Sequence, residues 1–354
     1  MNKYKWLMII ICLFIITACN KANDVKDEKR EEPVSKRSAP IEVVATHLKI
    51  PWSIQKANST FYISERRGTV AVVQNGQVTR EQVRLKEALS SQPEAGFLGF
   101  ILLPDFEKSQ QAIAYYTYEQ AGQPLNRVVI LQRKNNEWHE IKTLVDRIVS
   151  GQYHHGGRMQ IGRDGLLYIT TGDGVKEERA QDIHSLSGKI LRMNLDGSIP
   201  KDNPIPNSYV YSYGHRNPQG LAWDQLGNLY SSEHGSSAHD EINLIQAGGN
   251  YGWPIIQGDE VKEGMKTPLI HSGNVTWAPS GIAYHNGSLY VATLRGEAVK
   301  RYHLQSKKME DIVKDIGRVR DVFIEGNTLY FISNNTDGRG NPSKDDDQLY
   351  KLEL

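Results

Sequence analysis

One short unit recurs along this chain: an apolar strand carrying a tyrosine, a polar turn, then a second short strand. The tyrosine strands are Thr60–Ser64, Ala112–Tyr116, Leu166–Thr170, Asn228–Ser231, Ser288–Ala292 and Thr328–Ile332. Their tyrosines, Tyr62, Tyr116, Tyr168, Tyr230, Tyr290 and Tyr330, fall 54, 52, 62, 60 and 40 residues apart. Glycine or asparagine turns introduce most of them, as at Asp164-Gly165 and Asn286-Gly287. The partner strands follow at Val70–Val73, Val128–Leu131, Ile190–Met193, Ile242–Ile245, Val299–Tyr302 and Leu349–Leu352. A strand-built period of this length predicts an all-β, six-bladed β-propeller over residues 41–354, at about 52 residues per blade. A β-sandwich of this composition rarely needs six matched units. The last strand is expected to pair with residues near 41 to 46, which would remove the free edges.

Composition narrows the function. The formal net charge of +1 excludes a strongly basic nucleic-acid surface. Both cysteines, Cys12 and Cys19, precede the repeats, so disulfides, thiolate metal sites and cysteine nucleophiles are excluded from the folded body.

The N-terminus reads as an address and a tether. Lys3 and Lys5 precede an apolar run from Leu7 to Ile16, 10 residues long and too short to span a membrane as a helix. It ends Ile16-Thr17-Ala18-Cys19, which resembles a bacterial lipoprotein signal, with residues 1–18 removed and Cys19 lipidated. Residues 20 to 40 carry 6 basic and 5 acidic side chains and almost no large apolar group. Residues 19–40 are therefore expected to form a lipidated, flexible linker holding the body at a cell membrane, outside the cytoplasm. Without the signal lysines and the linker's excess positive charge the body is mildly acidic, which suits a neutral substrate.

Polar side chains concentrate between 151 and 254. Tyr153-His154-His155-Gly156-Gly157-Arg158 comes first, then Gly172-Asp173-Gly174 and Gly214-His215-Arg216-Asn217-Pro218-Gln219-Gly220. Glu233-His234-Gly235, Asp240-Glu241 and Asn250-Tyr251-Gly252-Trp253 follow. Each alone reads as a turn or a bridge between blades. Together, histidine beside carboxylate and guanidinium is the equipment for proton abstraction next to a bound anion. A metal held by His154 and His155 is disfavoured, because adjacent strand residues point to opposite faces.

These segments, with Glu94-Ala95-Gly96-Phe97-Leu98-Gly99 upstream and Arg318-Val319-Arg320-Asp321 downstream, resemble the glucose/sorbosone dehydrogenase family over about residues 43 to 352. These are soluble aldose dehydrogenases that depend on pyrroloquinoline quinone (PQQ), and the resemblance implies a six-bladed propeller. It implies oxidation of an aldose or oligosaccharide at its anomeric carbon to a lactone, with electrons passing to an external acceptor. His154 then matches the general base, Asp173 the carboxylate orienting it, and Arg216 a stabiliser of charge on the reduced cofactor. Arg216, Asn217, His234, Arg295, Arg318 and Arg320 match cofactor-binding positions. The carbonyls of Gly235 and Ser236 match those holding Ca²⁺ against the cofactor, and Glu241 and Tyr251 match a second, structural Ca²⁺ site. Arg295 stands where the best-known members carry lysine, Ser236 where they carry proline, and Tyr153 where glucose-oxidising members can carry an acid. The chain lacks the long loops of larger members, which implies an open cleft and a monomer.

Two other readings compete. A binding propeller lipoprotein on the same scaffold would not need to keep a base together with its orienting acid. A metal-dependent lactone hydrolase would need a carboxylate-rich central cage, and the carboxylates here lie in the segments just described.

Overall fold

The computed structural model describes residues 40–354. The expected signal (1–18), the expected lipidation at Cys19 and nearly all of the 19–40 linker lie outside the described residues. All six predicted strand pairs are present, and each tyrosine strand is next to one edge strand of an antiparallel four-strand run. Alternation of apolar and small residues with β-branched neighbours favours the pleated conformation here, and both faces of these strands are buried between sheets. Four runs are separate four-stranded sheets. The other two join into one eight-stranded sheet through a short parallel pairing of Gln82–Arg84 with Glu137–His139.

The expected closure is present. Strand Glu42–Ala45 pairs antiparallel with Leu349–Glu353, with Glu42 opposite Lys351 and Val43 opposite Tyr350, so the first strand completes the last sheet. The first strands of successive runs pack against one another, and the last of them, Val319–Glu325, packs against Pro51–Ala57. Among the described residues helix is confined to two four-residue turns, Phe106–Ser109 and Glu178–Gln181.

Where those first strands converge, one buried arginine links four runs. Arg158 Nη1 lies 2.9 Å from Asp321 Oδ2, its Nε donates to the Gln219 carbonyl at 2.8 Å, and its guanidinium sits 4.2 Å from the Trp52 ring centroid. Asp321 Oδ2 also accepts the Ile54 amide at 2.9 Å. Such a pair adds little net stability, but breaking it strands a buried charge, typically at a cost of about 3–5 kcal/mol. This interior seam fixes the loops at one end of the first strands, and those loops form the cavity described next.

Candidate active site

The loop from Ser150 to Arg158 leaves the strand pattern and carries three glycines. A Cβ on Gly172 would come within 1.9 Å of the His154 carbonyl oxygen, so only glycine lets the two loops touch. The contact brings His154 to Asp173: Nδ1 and Oδ1 are 2.8 Å apart. His154 itself has φ of 62°, a left-handed conformation of the kind stored at functional sites. Asp173 is buried and held from three further directions. Its Oδ1 accepts the Val175 amide (2.8 Å), its Oδ2 accepts Trp253 Nε1 (2.9 Å), and its own amide donates to the Arg216 carbonyl (2.8 Å). A carboxylate acceptor at Nδ1 keeps the proton on that nitrogen and leaves Nε2 as the basic atom, in a residue that lines the cavity.

The cavity has a volume of about 670 Å³. It takes in His154, Arg216, Asn217, His234, Gly235 and Ser236, and from the far side Arg295 and Arg318. Eight of the sequence-predicted site residues therefore meet in one space. Arg216 lies 5.4 Å from the Trp253 ring centroid, and burial pulls its pKa down. Glu233 accepts the backbone amides of both Arg216 and Asn217 and so sets their position. Arg318 is paired with Asp337 at 2.9 Å.

Three expected residues lie elsewhere. Arg320 is absent from this cavity; it lines a smaller one behind it and bonds to Gln219 and Asn334, because its strand turns it toward the interior seam. Glu241 and Tyr251 line a third small space beside Glu233. Burial and the neighbouring Glu233 raise the Glu241 pKa to about 7. His154 and His155 do diverge as expected, but through irregular backbone rather than strand alternation: His155 lines the smaller cavity and bonds Ser150.

Sequence reasoning missed a clamp across the mouth. Arg339 pairs with Glu94 at 2.7 Å, Glu94 Oε2 accepts the His154 amide at 3.1 Å, and Arg339 lies 5.9 Å from the Tyr153 ring centroid. Burial would raise Glu94, but Arg339 and the His154 amide bring its carboxyl down to about 2. It also missed Asp240, whose Oδ1 accepts Gly235 N (2.9 Å) while Oδ2 takes Thr276 Oγ1 and the amides of Trp277 and Ala278. The Asp240-Glu241 motif was visible, yet nothing local says which carboxylate faces the cavity.

Several buried nitrogens here have no hydrogen-bond partner among the described residues: Arg216 Nε, Arg318 Nε and His234 Nε2. Glu94 and Asp240 are already engaged by donors, so the lining is rich in N–H and poor in acceptors, as a polyanionic, oxygen-rich ligand requires. Among the described residues no three His, Cys, Asp or Glu side chains are grouped to hold a metal. The carbonyls of Gly235 and Ser236 accept no hydrogen bond there and remain available as hard oxygen donors.

Residues 48–344 match the family model described as Glucose / Sorbosone dehydrogenase. The chain is 28% identical to the aldose sugar dehydrogenase of Escherichia coli, over 80% of this chain and 86% of that one. It is 37% identical to quinoprotein glucose dehydrogenase B of Acinetobacter calcoaceticus, over 46% of this chain and 40% of that one. Among solved structures, the PQQ-bound aldose sugar dehydrogenase of Streptomyces coelicolor superposes with a TM-score of 0.83 at 35% identity, covering 89% of this chain and 98% of that one.

Proposed function

The chain belongs to the glucose/sorbosone dehydrogenase family, and from that premise we propose that it oxidises the anomeric hydroxyl of aldoses to lactones in the cavity beside His154. The family supports a sugar dehydrogenase; the assignment of roles is ours. The observation that carries it is the His154–Asp173 pair at 2.8 Å in a cavity where the Nε donors of Arg216 and Arg318 have no partner among the described residues.

PQQ, when bound, would supply the two-electron acceptor for the C1 hydrogen. His154 Nε2 removes the anomeric O–H proton, so that a carbonyl forms at C1. Asp173 holds the imidazole in the basic tautomer and stabilises its protonated form, while Trp253 and the Val175 amide keep Asp173 from turning away. Arg216, Asn217, His234, Arg295 and Arg318 would hold and orient the anionic quinone, with the Arg216 guanidinium placed to offset negative charge there. Gly235 and Ser236 would hold Ca²⁺ through their carbonyls, and Glu241 with Tyr251 a second Ca²⁺.

We read the eight-stranded sheet as two blades, giving a six-bladed propeller. The body acts as a monomer with an open cleft, tethered outside the cytoplasm through Cys19 and passing electrons to an external acceptor. Protein supplied with Ca²⁺ and PQQ is expected to bind the quinone by absorbance and to reduce a redox dye when given aldoses. No quinone binding, and no dye reduction across a panel of sugars, would reject this reading.

A further inference from the structure

Residues 172–188 join strand Leu167–Thr171 to strand Lys189–Met193, and the loop opens with Gly172-Asp173. It has little apolar surface with which to hold its shape: Ala180 is buried, but Val175 and Ile183 are exposed. At its centre is a charge instead. Lys189 is fully buried, and its Nζ donates to the carbonyls of Arg179 (2.7 Å), Ala180 (3.0 Å) and Ser187 (2.7 Å). Three acceptors need three N–H donors, which only the ammonium form has. Burial pulls the Lys189 pKa down, with Asp182 opposing. Such a charge is costly, and this one is offset by the backbone carbonyls it gathers.

The gathered segment reaches Trp253 by two routes. The Ala180 carbonyl also accepts the Gly214 amide at 2.8 Å, and the Gly214 carbonyl in turn accepts the Trp253 amide at 3.0 Å. The neighbouring Gln181 donates through Nε2 to the Trp253 carbonyl at 2.7 Å and exchanges a pair of hydrogen bonds with the Asn250 side chain. The Trp253 backbone is thus gripped at both its N–H and its C=O by residues beside the lysine cage. That grip sets where the indole points, and its Nε1 donates to Asp173 Oδ2 at 2.9 Å. Asp173 is tied to the same loop, because the Gly172 carbonyl accepts the amide of Gly188, next to Lys189, at 2.9 Å. Both partners of the indole–carboxylate bond therefore take their positions from the segment that folds around Lys189 Nζ.

We propose that Lys189 is a positioning residue for the reaction: its ammonium is the internal cation around which loop 172–188 folds, and through Gln181, Gly214 and Trp253 it fixes the carboxylate that orients His154. The inference rests on the role given to His154 above. Lys189 does not line the main cavity, so it acts on turnover only through Asp173 and His154. A lysine that merely held the fold together would change Tm and leave the His154 ring as it is. One that positions Asp173 changes the protonation pattern of that ring and kcat together.

Lys189→Met, close in length and without the charge, is the test variant. Nitrogen NMR of the full chain labelled with ¹⁵N-histidine needs no turnover, and the His154 signals are identified by their loss in His154→Ala. The wild type is expected to hold the ring proton on Nδ1, and Lys189→Met to show a mixture of tautomers. Its kcat should fall by about 10-fold with KM changed less than about 2-fold. Combined with Trp253→Phe, the loss should be about 10–30-fold rather than the product of about 100-fold, because both changes act on one hydrogen bond. If Lys189→Met does not fold, Gln181→Leu carries the test: it spares the lysine cage, cuts the bond to the Trp253 carbonyl, and should shift the tautomer and lower kcat in the same way. An unchanged His154 ring in either folded variant, or losses that simply multiply with Trp253→Phe, overturns the proposal while leaving the oxidation in place. A wild type that reduces no dye with any aldose sinks the oxidation and the role of Lys189 with it.

Discussion

Two histidine–carboxylate pairs in this molecule have the same separation and opposite fates. His154 Nδ1 lies 2.8 Å from Asp173, and His215 Nδ1 lies 2.8 Å from Glu233. What differs is the far nitrogen. His215 Nε2 is bonded to Ser212 Oγ at 2.8 Å, its ring stacks on Tyr251 at 4.8 Å, and the whole array is buried. His154 Nε2 has no such partner and its residue opens on the main cavity. A pair that looks like a proton-handling unit is thus structural when its outer nitrogen is spent, and in the function proposed above it is reactive when that nitrogen is left open to the cavity.

Removing each histidine should separate these roles. His154→Ala is expected to lower turnover by about 10²–10⁴-fold while leaving quinone binding nearly unchanged, and to lower Tm less than loss of His215 does, because water from the cavity can reach Asp173. His215→Ala should do the reverse. It leaves Glu233 buried without its partner at a cost of about 3–5 kcal/mol. For a domain of this size that lowers Tm by roughly 5–8 °C, while folded molecules keep most of their turnover. Thermal melts beside dye-reduction rates check both, and a His215 variant that melts normally but is inactive would break the comparison.

Asp173→Asn tests the tautomer. An amide in place of the carboxylate can donate to Nδ1, which would move the ring proton to Nε2 and abolish its basicity. Turnover should fall by about 10²-fold or more with Tm shifted far less than in the His215 variant. Equal rates for Asp173→Asn and wild type would show that His154 needs no orientation.

The first half of this contrast was legible in the sequence and the second was not. His154, Asp173 and Arg216 stand in short motifs whose residue types announce proton chemistry, and the tyrosine period exposed the strand pairs because each repeats one local pattern. The clamp of Arg339 on Glu94 joins residues 245 positions apart, and Trp253 reaches Asp173 across 80. No local pattern encodes such contacts; they exist because ring closure brings distant loops to one face. Arg320 was grouped with Arg318 by the family resemblance, yet a register shift between Val319 and Asp321 interrupts the pairing there, and Arg318 lines the main cavity while Arg320 lines the smaller one.

The neighbouring His155 sharpens the comparison by pH. Burial lowers its pKa to about 4, with Arg66 and His154 acting in the same direction and Glu94 opposing. The unfolded chain, with histidine near 6.5, binds the extra proton first as pH falls. The neutral His155 therefore contributes stability that is complete above about pH 6.5 and lost progressively toward pH 4, worth about 3 kcal/mol in all. His155→Gln should flatten the stability–pH curve across that window, measured by denaturant titration. A slope unchanged by the substitution would assign the acid sensitivity to other groups.

Trp253→Phe should give the smallest effect and the finest discrimination. The indole N–H is one of several donors to Asp173; removing it leaves the carboxylate held by Val175 and His154, while the ring still fills its place beside Arg216. One net hydrogen bond to a charged group is worth about 1.5–3 kcal/mol, part of which solvent entering from the cavity can restore. The expected result is a drop in turnover of about 10-fold, KM little changed, and a Tm within about 3 °C of wild type. If turnover falls as far as in Asp173→Asn, the indole is what holds Asp173 against His154. If it does not fall at all, the backbone amide alone suffices, and the reactive pair is as rigidly built as its buried counterpart at His215.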